Sequence, residues 1–264
     1  MQYKLFVQLQ CRTNSEFIIM STLFFCGDTH GQFDHLIEAA RLHKPAAMIL
    51  LGDIQATAPL HEIFASVMEH TEIWFIHGNH DTDSVAQYDH LYNSSLASNN
   101  LHGRVCEVAG YRIAGLGGIF RGQIWMPGQA QRFFDPPSYM AAGGRGNQWR
   151  TGVSRKHRSS IFPSDIAGLQ GQKADILVTH EAPSCHPHGF VPIDHLARQL
   201  KVRVSFHGHH HDRRDYSRDV PRLGFQPFGV GLRGITALNG EVIRPGDMDH
   251  VEFPVDPRRR PRGV

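Results

Sequence analysis

Residues 22–31 read Thr22-Leu23-Phe24-Phe25-Cys26-Gly27-Asp28-Thr29-His30-Gly31. A short apolar run stops at a glycine, and an acid and an imidazole follow two positions apart. The run is too short for a typical helix and reads as a buried strand. In extended chain, Asp28 and His30 fall on one face and can grip a single ion. Two further apolar runs, Ala47–Leu51 and Glu72–Ile76, end in the same way. The first runs into Gly52-Asp53 and the second reaches Gly78-Asn79-His80-Asp81 one residue later. Between these runs, Phe33, Leu36, Ile37 and Ala40 recur at helical spacing, as do Leu60, Ile63, Phe64 and Val67. The opening is therefore expected to be β-α-β-α-β with parallel strands.

Further along, Arg104–Val108 and Arg112–Ala114 flank a turn and read as a hairpin. Asp175–Thr179 and Val202–Phe206 read as strands, with a helix suggested between them by Ile193, Leu196, Ala197 and Leu200. Segments near Phe225–Val230, Gly234–Leu238 and Val242–Ile243 read as a closing meander. The stretch around 121–160 shows little periodicity and is expected to be a basic loop insert, with seven Arg and Lys against one Asp. Its aromatics (Trp125, Phe133, Phe134, Tyr139 and Trp149) fit either a lid over the substrate or burial against the domain. The main domain is expected over 21–253. Residues 1–20 read as a disordered arm or an upstream-start artefact, and 254–264 as a disordered tail.

Composition narrows the class. Of 264 residues, 41% are apolar and 20% charged, as in an ordinary globular protein. No apolar run has the roughly 18 residues of a membrane span, and no secretory signal is expected at the start. Cys11, Cys26, Cys106 and Cys185 form no CxxC pair and read as reduced thiols, so the expected compartment is the cytoplasm. The net charge is only +2, and no nucleic-acid module is recognisable.

Histidine is in excess, at 19 residues, and it clusters. Besides the three motifs above, Thr179-His180-Glu181 and Gly208-His209-His210-His211 follow strand-like runs. Ligands collect at the carboxyl ends of strands in open α/β sheets, so widely separated motifs can converge there. Asp28, His30, Asp53, Asn79, His180, His209 and His211 make seven candidate donors without a thiolate. That set favours Mn first, with Fe or Zn as alternatives. Two ions sharing a bridging carboxylate use seven donors more naturally than one ion does.

The series GDTHG, GD, GNHD, THE and GHHH resembles the calcineurin-like metallophosphoesterase superfamily over roughly Ser21 to Gly246. The resemblance implies a four-layer αββα sandwich with two mixed sheets and a dinuclear centre. It implies that Asp28, His30, Asp53 and His211 hold one ion and that Asp53, Asn79, His180 and His209 hold the other. His80 would be the catalytic histidine and Asp81 the acid that orients it. One departure stands out. Branches of this superfamily place a phosphate-binding arginine soon after the second motif, whereas Asp53 is followed by Ile-Gln-Ala-Thr-Ala-Pro. Arg121 is the first candidate to replace it. His186 and His188, on the loop after His180, either line the substrate cleft or are plain loop residues. His77, His207 and His210 read as structural.

The expected function is hydrolysis of a phosphate mono- or diester, with a small molecule or nucleotide as substrate, by attack of a metal-bridging hydroxide. A nuclease and a non-catalytic scaffold of the same fold are the alternatives.

Overall fold

The computed structural model describes residues 22–250, so the expectations for residues 1–20 and 254–264, and Cys11, lie outside the described residues. The chain opens with β1 (Leu23–Cys26), α1 (Asp34–His43), β2 (Ala47–Leu50), α2 (Leu60–Ile63), β3 (Glu72–Phe75) and α3 (Val85–Tyr92). It continues through β4 (Val105–Val108), β5 (Tyr111–Leu116), α4 (Pro136–Gly143), β6 (Gln148–Trp149), β7 (Gly152–Val153) and α5 (Pro163–Leu169). The remainder is β8 (Ile176–Thr179), α6 (Val191–Leu200), β9 (Val204–His207), α7 (Val220–Leu223), β10 (Gln226–Gly229), β11 (Ile235–Ala237) and β12 (Val242–Arg244).

Ten of these strands form two five-stranded sheets, ordered β12-β11-β1-β2-β3 and β10-β9-β8-β5-β4. β1, β2 and β3 run parallel, as do β5, β8, β9 and β10, while β11, β12 and β4 run antiparallel to their neighbours. Alternation along each strand explains the layers. Leu23, Phe25, Ala47 and Ile49 face the second sheet and pack with Ile113, Ile176, Val178 and Phe206. Phe25 and Phe206 stack across the sheets with ring centroids 3.6 Å apart. Phe24, Cys26, Met48 and Leu50 face outward and pack with Leu36, Ala40, Leu60 and Phe64 of the first helical layer. On the opposite side, Ala114, Leu116 and Leu177 meet Ile166, Leu169, Leu196 and Leu200. The result is the expected helix–sheet–sheet–helix sandwich. Strands buried on both faces read as unbroken apolar runs for this reason.

Three elements differ from the sequence reading. The helix expected through Val67 stops after one turn at Ile63, although Phe64 and Val67 remain buried. The closing meander is divided between the sheets: β10 joins β9 in parallel, while β11 and β12 join the sheet of β1. The insert is ordered, with α4, the β6–β7 hairpin and an apolar cluster of Ile124, Tyr139, Val153 and Phe162. Helix α4 starts at a capping box between Asp135 and Ser138 followed by prolines, and it buries only Tyr139. A helix that buries a single residue carries no apolar stripe in its sequence. The hairpin reading holds, and Ala109 and Gly110 supply the two positive φ angles of a tight primed turn.

Candidate metal centre

All five motifs lie at the carboxyl ends of β1, β2, β3, β8 and β9, on one rim of the sandwich. The backbone there is packed tightly against the candidate ligands. Gly52 has φ of +100°, and a Cβ on it would run into the His180 ring and the Gly78 backbone. A Cβ on Gly78 would overlap the Asp53 carboxylate and His180. His30, Asp53, His209 and His211 all adopt positive φ, between 43° and 70°. Non-glycine residues in this region carry strain of the order of 1–3 kcal/mol each, and such strain clusters at functional sites.

The side chains converge in two groups, Asp28 with His30 and His211, and Asp53 with His180 and His209. Within each group the ligand atoms lie within 4.8 Å of one another. In the first, His211 Nε2 is 3.1 Å from Asp28 Oδ2 and 3.0 Å from His30 Nε2. His30 Nδ1 is 2.7 Å from Gln55 Oε1, and donation there leaves Nε2 as a lone pair facing His211. In the second, His180 Nε2 is 3.4 Å from Asp53 Oδ2 and 3.3 Å from Asn79 Oδ1. The other nitrogen of His180 donates to Leu51 O at 2.8 Å, which again fixes Nε2 as the inward atom. Two imidazole lone pairs and a carboxylate crowded at about 3 Å suit a shared cation, so this donor set fits divalent ions.

Electrostatics set the protonation of the metal-free site. Burial opposes charge on both His180 and Asp53, but their mutual attraction outweighs it. His180 is raised to about 10, and Asp53 is held far below the usual carboxylate range. Burial, with the His180 charge beside it, lowers His209 to about 3. A hydrogen bond to Asp28 leads the causes that raise His211, against burial.

His80 stands beside these groups, its ring centroid 5.7 Å from that of His30, with its backbone N–H donating to Asp53 Oδ1 at 2.8 Å. Its expected orienting acid, Asp81, is turned away. The two Asp81 oxygens accept from Gln55 N and Gly78 N at 2.7 Å each, tying two of the candidate-ligand loops together from a fully buried position. Burial and the nearby Asp53 charge raise Asp81 to about 7. The acid on the His80 ring is Asp83, whose Oδ2 is 2.6 Å from Nδ1. Residues 80–82 form a 3-10 turn, and this turn brings i and i+3 together. Spacing alone could have suggested Asp83.

The remaining candidates are placed as follows. Arg121 spends Nη1 on Lys156 O, Ser159 O and the Ser159 and Ser160 hydroxyls, and burial lowers its pKa. His186 does not line an open cleft: it is 1% exposed, stacked on His210 at 3.9 Å, with Nε2 3.3 Å from Asp212. His188 is exposed, and its backbone N–H donates to His186 Nδ1. His77 is buried against Tyr92, and His207 against Tyr216. Two residues without an assigned role also contribute. Gln55 fixes His30, and Glu181 accepts from Phe120 N at 3.1 Å while lying 3.9 Å from His209. Cys26, Cys106 and Cys185 are free thiols. Among the described residues, no helix is long and apolar enough to cross a membrane.

A family model described as calcineurin-like phosphoesterase matches residues 21–213, which contain all the strand-end motifs. The chain belongs to the calcineurin-like phosphoesterases. Membership supports a phosphoester hydrolase of a family that typically depends on metal. A protein of Haemophilus influenzae described as uncharacterized is 43% identical over 221 residues, covering 84% of this chain and 96% of the relative. The crystal structure of TT1561 from Thermus thermophilus superposes with a TM-score of 0.54 at 12% identity, covering 86% of this chain and 99% of that one. A likeness at that identity speaks for the fold alone.

Proposed function

We propose that this phosphoesterase hydrolyses a small phosphate ester at a dinuclear centre. Asp28, His30, Asp53 and His211 would hold one divalent ion, and Asp53, Asn79, His180 and His209 the other, with Asp53 shared. Manganese is the first choice, with iron or zinc as alternatives. Bound there, the ions supply Lewis acidity that makes water nucleophilic near neutral pH and offsets charge on the phosphoryl oxygens. The observation that carries the reading is the convergence of two donor triads and His80 on one rim.

The protein's own groups then have distinct duties. With Nδ1 donating to Asp83, the imidazolium form of His80 carries its second proton on Nε2 and would deliver it to the departing ester oxygen, leaving a neutral ring. Asp81 holds the Gly78 and Gln55 loops in register and so positions Asn79, His80 and His30 without touching substrate. Gln55 and Leu51 O fix the tautomers of His30 and His180.

The test is hydrolysis of bis(p-nitrophenyl) phosphate and p-nitrophenyl phosphate with Mn²⁺, with Asp53→Asn as control. Turnover of either ester that is lost in the variant supports the reading, and the preferred ester separates diesterase from monoesterase. Full metal loading of the wild type without turnover of either ester would favour a non-catalytic scaffold.

A further inference from the structure

Next to the His80 turn, the insert encloses a cleft of about 350 Å³ lined by Thr82, Asp83, Arg121, Trp149, Arg155 and Lys156. Three of the six lining residues are cations and one is a carboxylate, and that carboxylate is already engaged by His80. Two of the three cations hydrogen-bond neutral partners. Arg121 donates to carbonyls and hydroxyls, and Lys156 donates to the Gln123 amide at 3.0 Å. Their field reaches the neighbouring His157, where burial is the main depressing influence and the Arg121 and Lys156 charges add to it.

Elsewhere in the same insert, Arg150 and Arg158 are neutralised or stacked, while Arg132 and Arg145 lie exposed outside the cleft. Arg150 pairs with Asp89 and lies 4.2 Å over the Trp149 ring. Arg158 donates to the Tyr88 hydroxyl at 2.7 Å. Three of the insert's seven cations, Arg121, Arg155 and Lys156, therefore share the wall facing Asp83. Trp149 carries Arg150 on its ring, so it serves as a wall and not as an open platform for a base.

We propose that this cleft binds a second anionic group of the substrate, phosphate foremost, on the leaving-group side of the bond being cleaved. The preferred substrates would then be small organic bisphosphates or related esters whose leaving group carries its own phosphate. The inference rests on the reading of His80 as the group that meets the leaving oxygen. Its link to the cleft is Asp83, which holds the His80 ring and lines the cleft at once. A charge-assisted hydrogen bond contributes about 1.5–3 kcal/mol. That corresponds to roughly tenfold to hundredfold in kcat/KM between a substrate with the second anion and one without it.

The experiment compares propane-1,3-diol bisphosphate with propane-1,3-diol monophosphate, following phosphate release with Mn²⁺ for the wild type and the Arg155→Ala/Lys156→Ala double variant. We expect the wild type to favour the bisphosphate by about tenfold or more in kcat/KM and the variant to lose most of that preference. Equal rates for the two esters in the wild type, or a preference that survives the double substitution, would overturn the subsite while leaving the hydrolase reading intact. If neither ester turns over, the hydrolase reading is the one in difficulty. Calorimetric titration of the same two compounds into both proteins then decides the subsite: tighter binding of the bisphosphate that the variant loses upholds it, and equal binding ends it. Displacement of bound bisphosphate by a stoichiometric amount of oligonucleotide would also overturn it, in favour of a nucleic-acid groove.

Discussion

The ligand rim and the insert solve the same problem, holding side chains still, by different means. At the rim, five strands end in short turns whose backbone is packed against the functional groups, so that no Cβ fits at Gly52 or Gly78. The Asp81 carboxylate ties two of these turns together through backbone N–H groups. The insert has one short helix and a two-stranded hairpin of its own. It is fastened by side chains: Trp149 sits edge-on to Tyr88, the guanidiniums of Arg150 and Arg158 lie near both rings, and Asp89 pairs with Arg150. A rim fixed by backbone suits a constellation that tolerates displacements of no more than about 0.5 Å. An insert fixed by side chains can change its lining without disturbing that constellation.

The sharpest break between chemistry and scaffold is expected at His80. His80→Ala should lower turnover by about 10²–10⁴-fold, as removal of a general acid does, while the ligand groups and metal content persist. Metal analysis beside a rate measurement checks this, and a metal-free variant would contradict the role. Asp83→Asn should follow in the same direction by about tenfold, because it removes the charge that holds the ring. The rim itself is tested by Gly78→Ala, which forces a methyl group against Asp53 and His180. Displacements near 1 Å cost about 100-fold in rate, and here metal occupancy should fall together with activity. Occupancy that survives this substitution would mean the rim is softer than its packing implies.

The unequal legibility of the two regions follows from this construction. Rim residues sit within four positions of a strand end and are set by local backbone, so Asp28, His30, Asp53, Asn79, His180, His209 and His211 could be picked out from spacing. Asp81 and Asp83 lie two residues apart on one turn, and their duties differ because one carboxylate faces the Gln55 loop and the other the His80 ring. Only the folded turn decides that. The insert depends on contacts such as Tyr88 with Trp149 and Arg158, 61 and 70 positions apart, for which no periodic pattern exists. His186 misleads for a related reason: it follows the candidate ligand His180 closely in sequence, but the Pro183–Phe190 pairing folds it back onto His210.

Acid and metal should act mainly through the rim. Burial lowers His209 to about 3 and His207 to about 4, while in the insert it lowers His157 to about 4, all from an ordinary value of 6.5. The unfolded chain therefore takes up more protons than the folded one below pH 6.5, and the chelated protein should lose stability steadily as pH falls from 6.5 toward 4. His180 has the opposite sign. Its raised pKa stabilises the metal-free fold fully below 6.5, and that contribution fades as pH rises through about 10. Because a metal must displace that proton, affinity should rise by up to about tenfold per pH unit between 7 and 9. Mn²⁺ titrations at three pH values check the slope; a flat response would mean that His180 is already neutral or is not a ligand.

The smallest effect should come from Tyr88→Phe, and it isolates the fastening of the insert. The substitution keeps the ring against Trp149 and beside both guanidiniums but removes the hydroxyl that accepts from Arg158 Nη1 at 2.7 Å. A hydrogen bond from a charged donor contributes about 1.5 kcal/mol at the low end of its range, which is a fall of roughly 3–6 °C in Tm for a domain of this size. Metal content should not change, because neither Tyr88 nor Arg158 reaches the ligand groups. A drop in Tm with full metal loading would place the two regions under separate control. Loss of metal in this variant would instead mean that α3, which follows directly on the His80 turn, transmits strain from the insert to the rim, and that the two regions form one mechanical unit.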